Sequence, residues 1–226
     1  MIRVCLAGAT GWVGRPLASA IREADDLDLV ASVARRGGDA ITHTSIEEAL
    51  RVPSDVFVDY TSATAVKSNV MLAVNAGRHV VVGSSGLTNE DFGEIDAAAR
   101  AKNVGVLAVG NFAITAALLQ RFAIEAAKHI PDFEIVDIAY KEKLDAPSGT
   151  ARELAWNLGV DPSTVHSLRL PGYTIGLEVR FGREDERLTL QYDGGTGAQP
   201  YIAGTLLAIR RVPELAGLVR GLDRIL

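Results

Sequence analysis

Cysteine is almost absent from this chain: Cys5 stands alone among 226 residues, inside the first apolar run. A lone cysteine excludes an internal disulfide and suits a reducing cytoplasm, so a cytoplasmic protein is expected. Its setting reads as a small core residue rather than a nucleophile. Long apolar runs are missing too. None reaches the ~20 residues needed to cross a bilayer, and no membrane partner is expected. No signal peptide is expected, because the first residues run straight into a strand pattern. Excess positive charge is lacking: the net charge of −5 leaves no basic footprint for nucleic acid. Repeats and low-complexity segments are absent, and no metal site is expected. What is present is apolar material, 48% of the chain, beside an ordinary charged fraction of 23%. That supports one large packed domain or two small ones.

The first half alternates strand-like and helical patterns. "IRVCLAG", "LDLVASVA", "DVFVDYT", "RHVVVG" and "VGVLAVG" read as five buried strands. Helices are expected over Gly14–Ala24, with Pro16 tolerated in the first turn, over about Ala65–Asn75, and from a Thr88/Asp91 capping box to about Ala101. Strands alternating with helices imply parallel pairing and a doubly wound α/β sheet of the Rossmann type. The second half differs. A helix over about Thr115–His129 precedes the strand "FEIVDIAYKE", and Ser148 opens another helix. "TIGLEVRFG" and "ERLTLQY" form a hairpin around Arg183–Asp185, followed by the glycine-rich "DGGTGAQP", a helix near Ile202–Arg211 and a short tail. Hairpin-connected strands suggest a smaller antiparallel α+β domain beginning near Gly110.

"GATGWVG" follows the first strand and opens the first helix, placing Gly8, Gly11 and Gly14 at three-residue spacing, with Thr10, Trp12 and Val13 between them. Such glycines allow a tight turn and close approach of backbone to a pyrophosphate at a helix N-terminus. A glycine turn without a ligand is the plainer reading. An NAD-selective site ends its second strand with an acid that binds the ribose hydroxyls. Here Ala34 stands in that place, and Arg35 and Arg36 follow. Guanidinium groups bind phosphate in a planar fork, so NADPH is the expected cofactor, with NADH left open. The alternative is a solvated pair of charges. Three loops of small residues lie at the carboxyl ends of strands: "DYTS" with Tyr60 and Thr61, "GSSG" with Gly83, Ser84 and Ser85, and "GNFA" with Gly110, Asn111 and Phe112. Ligands bind at that edge of such sheets.

"AYKEKLDAPSGT" has the look of an anion receptor. Pro147 keeps Ala146 extended, and Ser148 can cap the helix behind it. Ser148, Gly149 and Thr150 bring N–H groups and hydroxyls to a helix start, with Lys143 as countercharge. A capped helix with solvated lysines accounts for the same residues.

Together "GATGWVGR", "VFVDYT", "GSSG", "GNFA", "EIVDIAYKEKLDAPSGTA" and "PGYTIG" resemble, in order and spacing, the dihydrodipicolinate reductase family, over nearly the whole chain. The "K-x-DAPSGTA" block is the most specific part. The resemblance implies a dinucleotide-binding domain over residues 1–110 plus 205–226, the last stretch folding back onto it. It implies a substrate-binding and oligomerisation domain over 111–204 and a homo-oligomer, dimer or tetramer. It implies hydride transfer from NAD(P)H to a cyclic imine dicarboxylate in lysine and diaminopimelate biosynthesis, with Lys143, Ser148, Gly149 and Thr150 gripping substrate.

The departures from that pattern are specific. Ala139 and Tyr140 stand where the family has two histidines, one of them the proton donor. Tyr192 stands where a later strand ends in histidine, the hairpin is shorter, and "DGGTGAQP" lacks an arginine. The four histidines, His43, His79, His129 and His166, lie elsewhere. Lys143 and Tyr140 are the candidate replacements for the proton donor. Strand alternation favours Lys143, because an inward Ala139 turns Tyr140 away. Dihydrodipicolinate or a related cyclic imine carboxylate is the expected substrate. Two alternatives stand beside this: a catalytically impaired NADPH-binding relative serving as sensor or assembly partner, and a general dehydrogenase of sugars or aldehydes, which leaves "DAPSGT" unexplained.

Overall fold

A computed structural model of the chain describes residues 1–35 and 42–226. It divides into two compact units, Met1–Val109 with Tyr201–Leu226, and Gly110–Pro200.

The first unit is built on a six-stranded, all-parallel sheet: β1 (Ile2–Ala7), β2 (Leu27–Val33), β3 (Val56–Asp59), β4 (His79–Val82), β5 (Gly105–Ala108) and β10 (Gly217–Arg220), in the spatial order β10-β5-β4-β3-β1-β2. The apolar runs are continuous because parallel strands bury both faces: Val56, Phe57 and Val58 of β3 are all fully buried. Helices α1 (Gly14–Glu23), α3 (Val66–Asn75) and α4 (Asn89–Lys102) make the crossovers. The expected Thr88/Asp91 capping box starts α4, with Thr88 N–H on Asp91 Oδ2 at 2.8 Å and Asp91 N–H on Thr88 Oγ1 at 3.1 Å. The short α2 (Ile46–Ala49) was not expected, nor was β10, which the sequence presents only as part of a tail. Strand order reverses between β1 and β3, and a crevice opens beyond the carboxyl ends of those strands.

The second unit packs α5 (Ile114–Ala127) and α6 (Gly149–Asn157) on a four-stranded sheet of order β7-β6-β8-β9. Strands β6 (Phe133–Ala139), β8 (Ile175–Arg183) and β9 (Glu186–Gly194) are antiparallel, and the hairpin turns at Glu184–Asp185, where Asp185 takes the left-handed φ of 59°. Two expectations are corrected here. The sheet is mixed, because the unforeseen β7 (His166–Arg169) pairs parallel with β6. And β6 ends at Ala139, so Tyr140 lies beyond the strand and alternation does not decide its direction. Helix α7 (Gln199–Arg211) returns the chain to the first unit.

Candidate active site

In the first unit, the glycine turn is shaped by contacts that admit no side chain. Gly8 has φ of 82°, and a Cβ there would meet the Tyr60 carbonyl oxygen at 2.1 Å. A Cβ on Gly14 would come as close, 2.1 Å, to the Gly8 carbonyl oxygen. The turn is thus folded against the end of β3 and the start of α1. No side chain caps α1, whose N-cap residue is Val13. The Arg15 N–H bonds back onto the Gly11 carbonyl at 3.0 Å and Pro16 has none, so the Gly14 N–H is the one left at the positive end of the helix dipole with no such backbone bond.

A cleft of about 550 Å³ opens here, lined by Gly8, Thr10, Gly11, Arg35, Tyr60 and Thr61 among others. Ala34 also lines it, so no acid stands at the end of β2. Arg36 lies outside the described residues. Thr44, Ile46 and Asn69 line the cleft as well and were missed, because they belong to no glycine turn. Trp12 sits outside the lining, 60% exposed, with its ring edge against Tyr201 at 5.7 Å between centroids. The 83–86 turn is not part of the lining either. It is tied to the cleft through Asp59, a buried carboxylate at the end of β3. Asp59 accepts Thr61 N–H at 3.1 Å, Asn69 Nδ2–H at 2.9 Å and the Ser84 hydroxyl at 2.5 Å. Ser85 is exposed and Gly83 lies under the Tyr60 ring. Tyr60 is a structural member of the wall: its hydroxyl meets Thr205 Oγ1 at 2.7 Å, and burial raises its pKa strongly.

In the second unit, Gly110 N–H donates to Glu153 Oε2 at 3.2 Å, Asn111 Oδ1 accepts Ala113 N–H at 2.9 Å, and Phe112 is buried. Ser148 caps α6 as expected, its Oγ accepting Ala151 N–H at 3.3 Å. Its own N–H is committed elsewhere, to Asp137 Oδ2 at 2.8 Å. The helix start thus presents Gly149 and the buried Thr150. Lys143 is ion-paired with Asp145 and only 18% exposed in its side chain. Partial burial works against the charge on Asp145, but Lys143 and the nearby Arg152 outweigh it and lower the carboxyl pKa. Arg152, unforeseen, donates to the Pro147 carbonyl and stands beside Gly149. Tyr140 is 44% exposed, whereas Ala139 is fully buried. Tyr192 is a core residue; burial raises its pKa against the opposing effect of Asn111.

The sequence model of dihydrodipicolinate reductase, N-terminus, matches residues 2–112, and that of its C-terminus matches residues 115–226. This chain belongs to the dihydrodipicolinate reductase family. A 4-hydroxy-tetrahydrodipicolinate reductase of Moorella thermoacetica is 34% identical over 262 aligned positions, covering 100% of this chain and 98% of that protein. The enzyme of the same name from Coxiella burnetii is 32% identical over 244, covering 100% and 99%. Among solved structures, a dipicolinate-bound dihydrodipicolinate reductase from Paenisporosarcina sp. TG-14 superposes with a TM-score of 0.87 at 29% identity, covering all of both chains. Membership makes the chain one of a family of NAD(P)H-dependent oxidoreductases on a Rossmann-type sheet with a second, mixed-sheet unit. The buried Ala139 and the exposed Tyr140 leave the end of β6 without an imidazole.

Proposed function

We propose that the protein is an NADPH-dependent reductase that reduces the C=N or conjugated C=C bond of a cyclic imine carboxylate, dihydrodipicolinate or a close relative. The observation that carries this reading is the Ser148-capped start of α6, with Lys143 and Arg152 near it, in a chain of this family whose first unit has a bare glycine turn; we read that helix start as an anion receptor. The residues present suit a dinucleotide. Gly8 and Gly14 leave the backbone bare, the start of α1 turns the positive end of its dipole to a pyrophosphate, and a cleft with Arg35 and no acid among the described lining residues suits a 2′-phosphate. The first unit is assigned to the dinucleotide and the second to substrate and to self-association as a dimer or tetramer in the cytoplasm. Gly83, Ser84, Ser85, Gly110, Asn111 and Phe112 are assigned to the cofactor's walls or their support.

A bound dihydronicotinamide supplies the hydride. The chain's own part is to hold a carboxylate of the substrate and to deliver a proton to nitrogen. Gly149 and Thr150 N–H groups and the Thr150 hydroxyl grip the carboxylate, with Arg152 adding charge. Lys143 is the assigned donor: one Nζ–H bond breaks as the product N–H forms, and water restores the proton. Asp145 holds the ammonium in place between turnovers. Tyr140 stays the secondary candidate. A positioned acid contributes ~10²–10⁴-fold, so Lys143→Ala is expected to cut kcat on dihydrodipicolinate by about that factor. Its NADPH affinity should not change, and Tyr140→Phe should remain near wild type. Unchanged turnover in Lys143→Ala contradicts the assignment.

A further inference from the structure

We propose that the buried Asp137–Arg169 pair is an electrostatic positioning device for the substrate anion, in which Arg169 neutralises Asp137 so that the start of α6 can receive a carboxylate. The inference rests on the reading of that helix start as the carboxylate receptor.

Asp137 lies in β6 two residues before Ala139, so both side chains face the same way. Its side chain is 1% exposed. Oδ2 accepts the Ser148 N–H at 2.8 Å, Arg169 Nη2–H at 2.6 Å and, at 3.5 Å, the Ser167 hydroxyl. Oδ1 has no hydrogen-bond partner among the described residues. A buried carboxylate, ion-paired only with Arg169, therefore lies within hydrogen-bond reach of the residue that caps α6. Alone, it would oppose any anion held by the next two N–H groups.

Arg169 removes that opposition. It stands on β7 in register with Ala139, and its guanidinium reaches along β6 to Asp137. The same group donates to the Asp137 carbonyl at 3.2 Å, the Leu168 carbonyl at 2.9 Å and the Asp145 carbonyl at 2.6 Å. One cation thus balances the carboxylate under the helix start and fixes the turn that bears Asp145, the partner of Lys143. Around the receptor, Lys143 pairs with Asp145, Arg169 with Asp137, and Arg152 adds a cation. Glu153, buried on α6, accepts the Gly110 N–H. Deleting Arg169 alone turns a balanced site into one with a buried negative charge at its floor.

Two opposite single substitutions separate this role from a merely structural one. Breaking a buried pair on one side leaves an uncompensated charge, whereas replacing both members is close to neutral. Binding of pyridine-2,6-dicarboxylate to the NADPH-loaded protein is measured by titration calorimetry, with thermal melting as the fold control. Arg169→Met is expected to weaken the dicarboxylate about tenfold or more, the size set by one unit charge a few ångströms away. Asp137→Asn, whose amide oxygen still accepts the Ser148 N–H, should bind it as tightly as wild type or more tightly. The double variant should return to within about threefold of wild type, as expected when the whole pair is removed. NADPH affinity should stay constant in all three, and the KM for substrate should follow the calorimetry while kcat moves less. If Arg169→Met does not fold, Asp137→Asn and the double variant still decide. Weakened binding in Asp137→Asn, or a double variant bound as weakly as Arg169→Met, overturns the inference. A wild-type protein that ignores the dicarboxylate overturns the receptor reading and the inference with it.

Discussion

Arg35 occupies the wall of the glycine-turn cleft beside Ala34, in the place where a ribose-binding acid would exclude a phosphate. The proposed preference for NADPH is testable at this residue. Arg35→Ala is expected to raise the Kd for NADPH about tenfold while leaving NADH nearly unchanged, the loss of a charge-assisted pair at a partly exposed site. Fluorescence titration with both cofactors checks it, and equal weakening of both contradicts the assignment. At this scale much was legible. Gly8, Thr10, Gly11 and Arg35 were read from a local pattern, and they line one cleft. Asp59 was read only as the first residue of the "DYTS" loop, with no role of its own, and Arg169 was not read as part of a site. Asp59 acts on Ser84 across 25 positions and Arg169 on Asp137 across 32, and no spacing rule links residues so far apart. The lone cysteine behaves as expected: burial pushes the Cys5 thiol up to about 12, leaving it unreactive at neutral pH.

Helices and strands were legible where the local signal was self-sufficient. The Thr88/Asp91 box sets the start of α4 by two reciprocal bonds, and both residues sit three apart in the chain. Thr88→Ala is expected to cost about 1 kcal/mol of stability, the usual loss for an N-cap, with kcat unaltered. Chemical denaturation midpoints together with activity would test it, and a loss of activity without a loss of stability would contradict it. Lys67 bridges to Asp91 and Glu94 on the same helix, but all three lie near the surface, where such pairs add little. Elements whose stability comes from a distant partner escaped notice. β10 is four residues long and exists because Gly217–Arg220 pairs with Gly105–Ala108. β7 carries histidine, serine and arginine and exists because it pairs with β6. Tyr140 was read as a strand residue because "FEIVDIAYKE" looks uniform, yet β6 ends at Ala139, and a single further backbone bond, Tyr140 N–H to the Thr174 carbonyl at 2.9 Å, precedes the turn that carries Lys143.

In the first unit as a whole, the edge of the sheet opposite the cleft is fastened by His79. Its Nδ1 accepts the Gly105 N–H at 2.9 Å, and the Val212 backbone also bonds the ring, so one imidazole joins β4, β5 and the returning C-terminal segment. Burial lowers its pKa below 6.5, against a smaller opposing pull from Asp55. Above 6.5 the ring is neutral whether folded or unfolded, and its full contribution to stability is present. As pH falls below 6.5 the unfolded chain takes the proton first, and stability drops until the folded ring also titrates. Melting temperatures are thus expected to fall as pH drops from 7 through 6.5, with a shallower slope in His79→Gln. An identical slope in the variant would assign the acid sensitivity to other groups.

This member of the family, whose β6 ends in Ala139 followed by Tyr140 and carries no imidazole there, is proposed to reduce a cyclic imine carboxylate. The most direct measurement follows NADPH oxidation by the purified protein with freshly generated dihydrodipicolinate and, in parallel, with pyrroline and piperideine carboxylates. Turnover on at least one of them is expected, with NADPH preferred over NADH. Tight NADPH binding with no oxidation on any of these imines would contradict it.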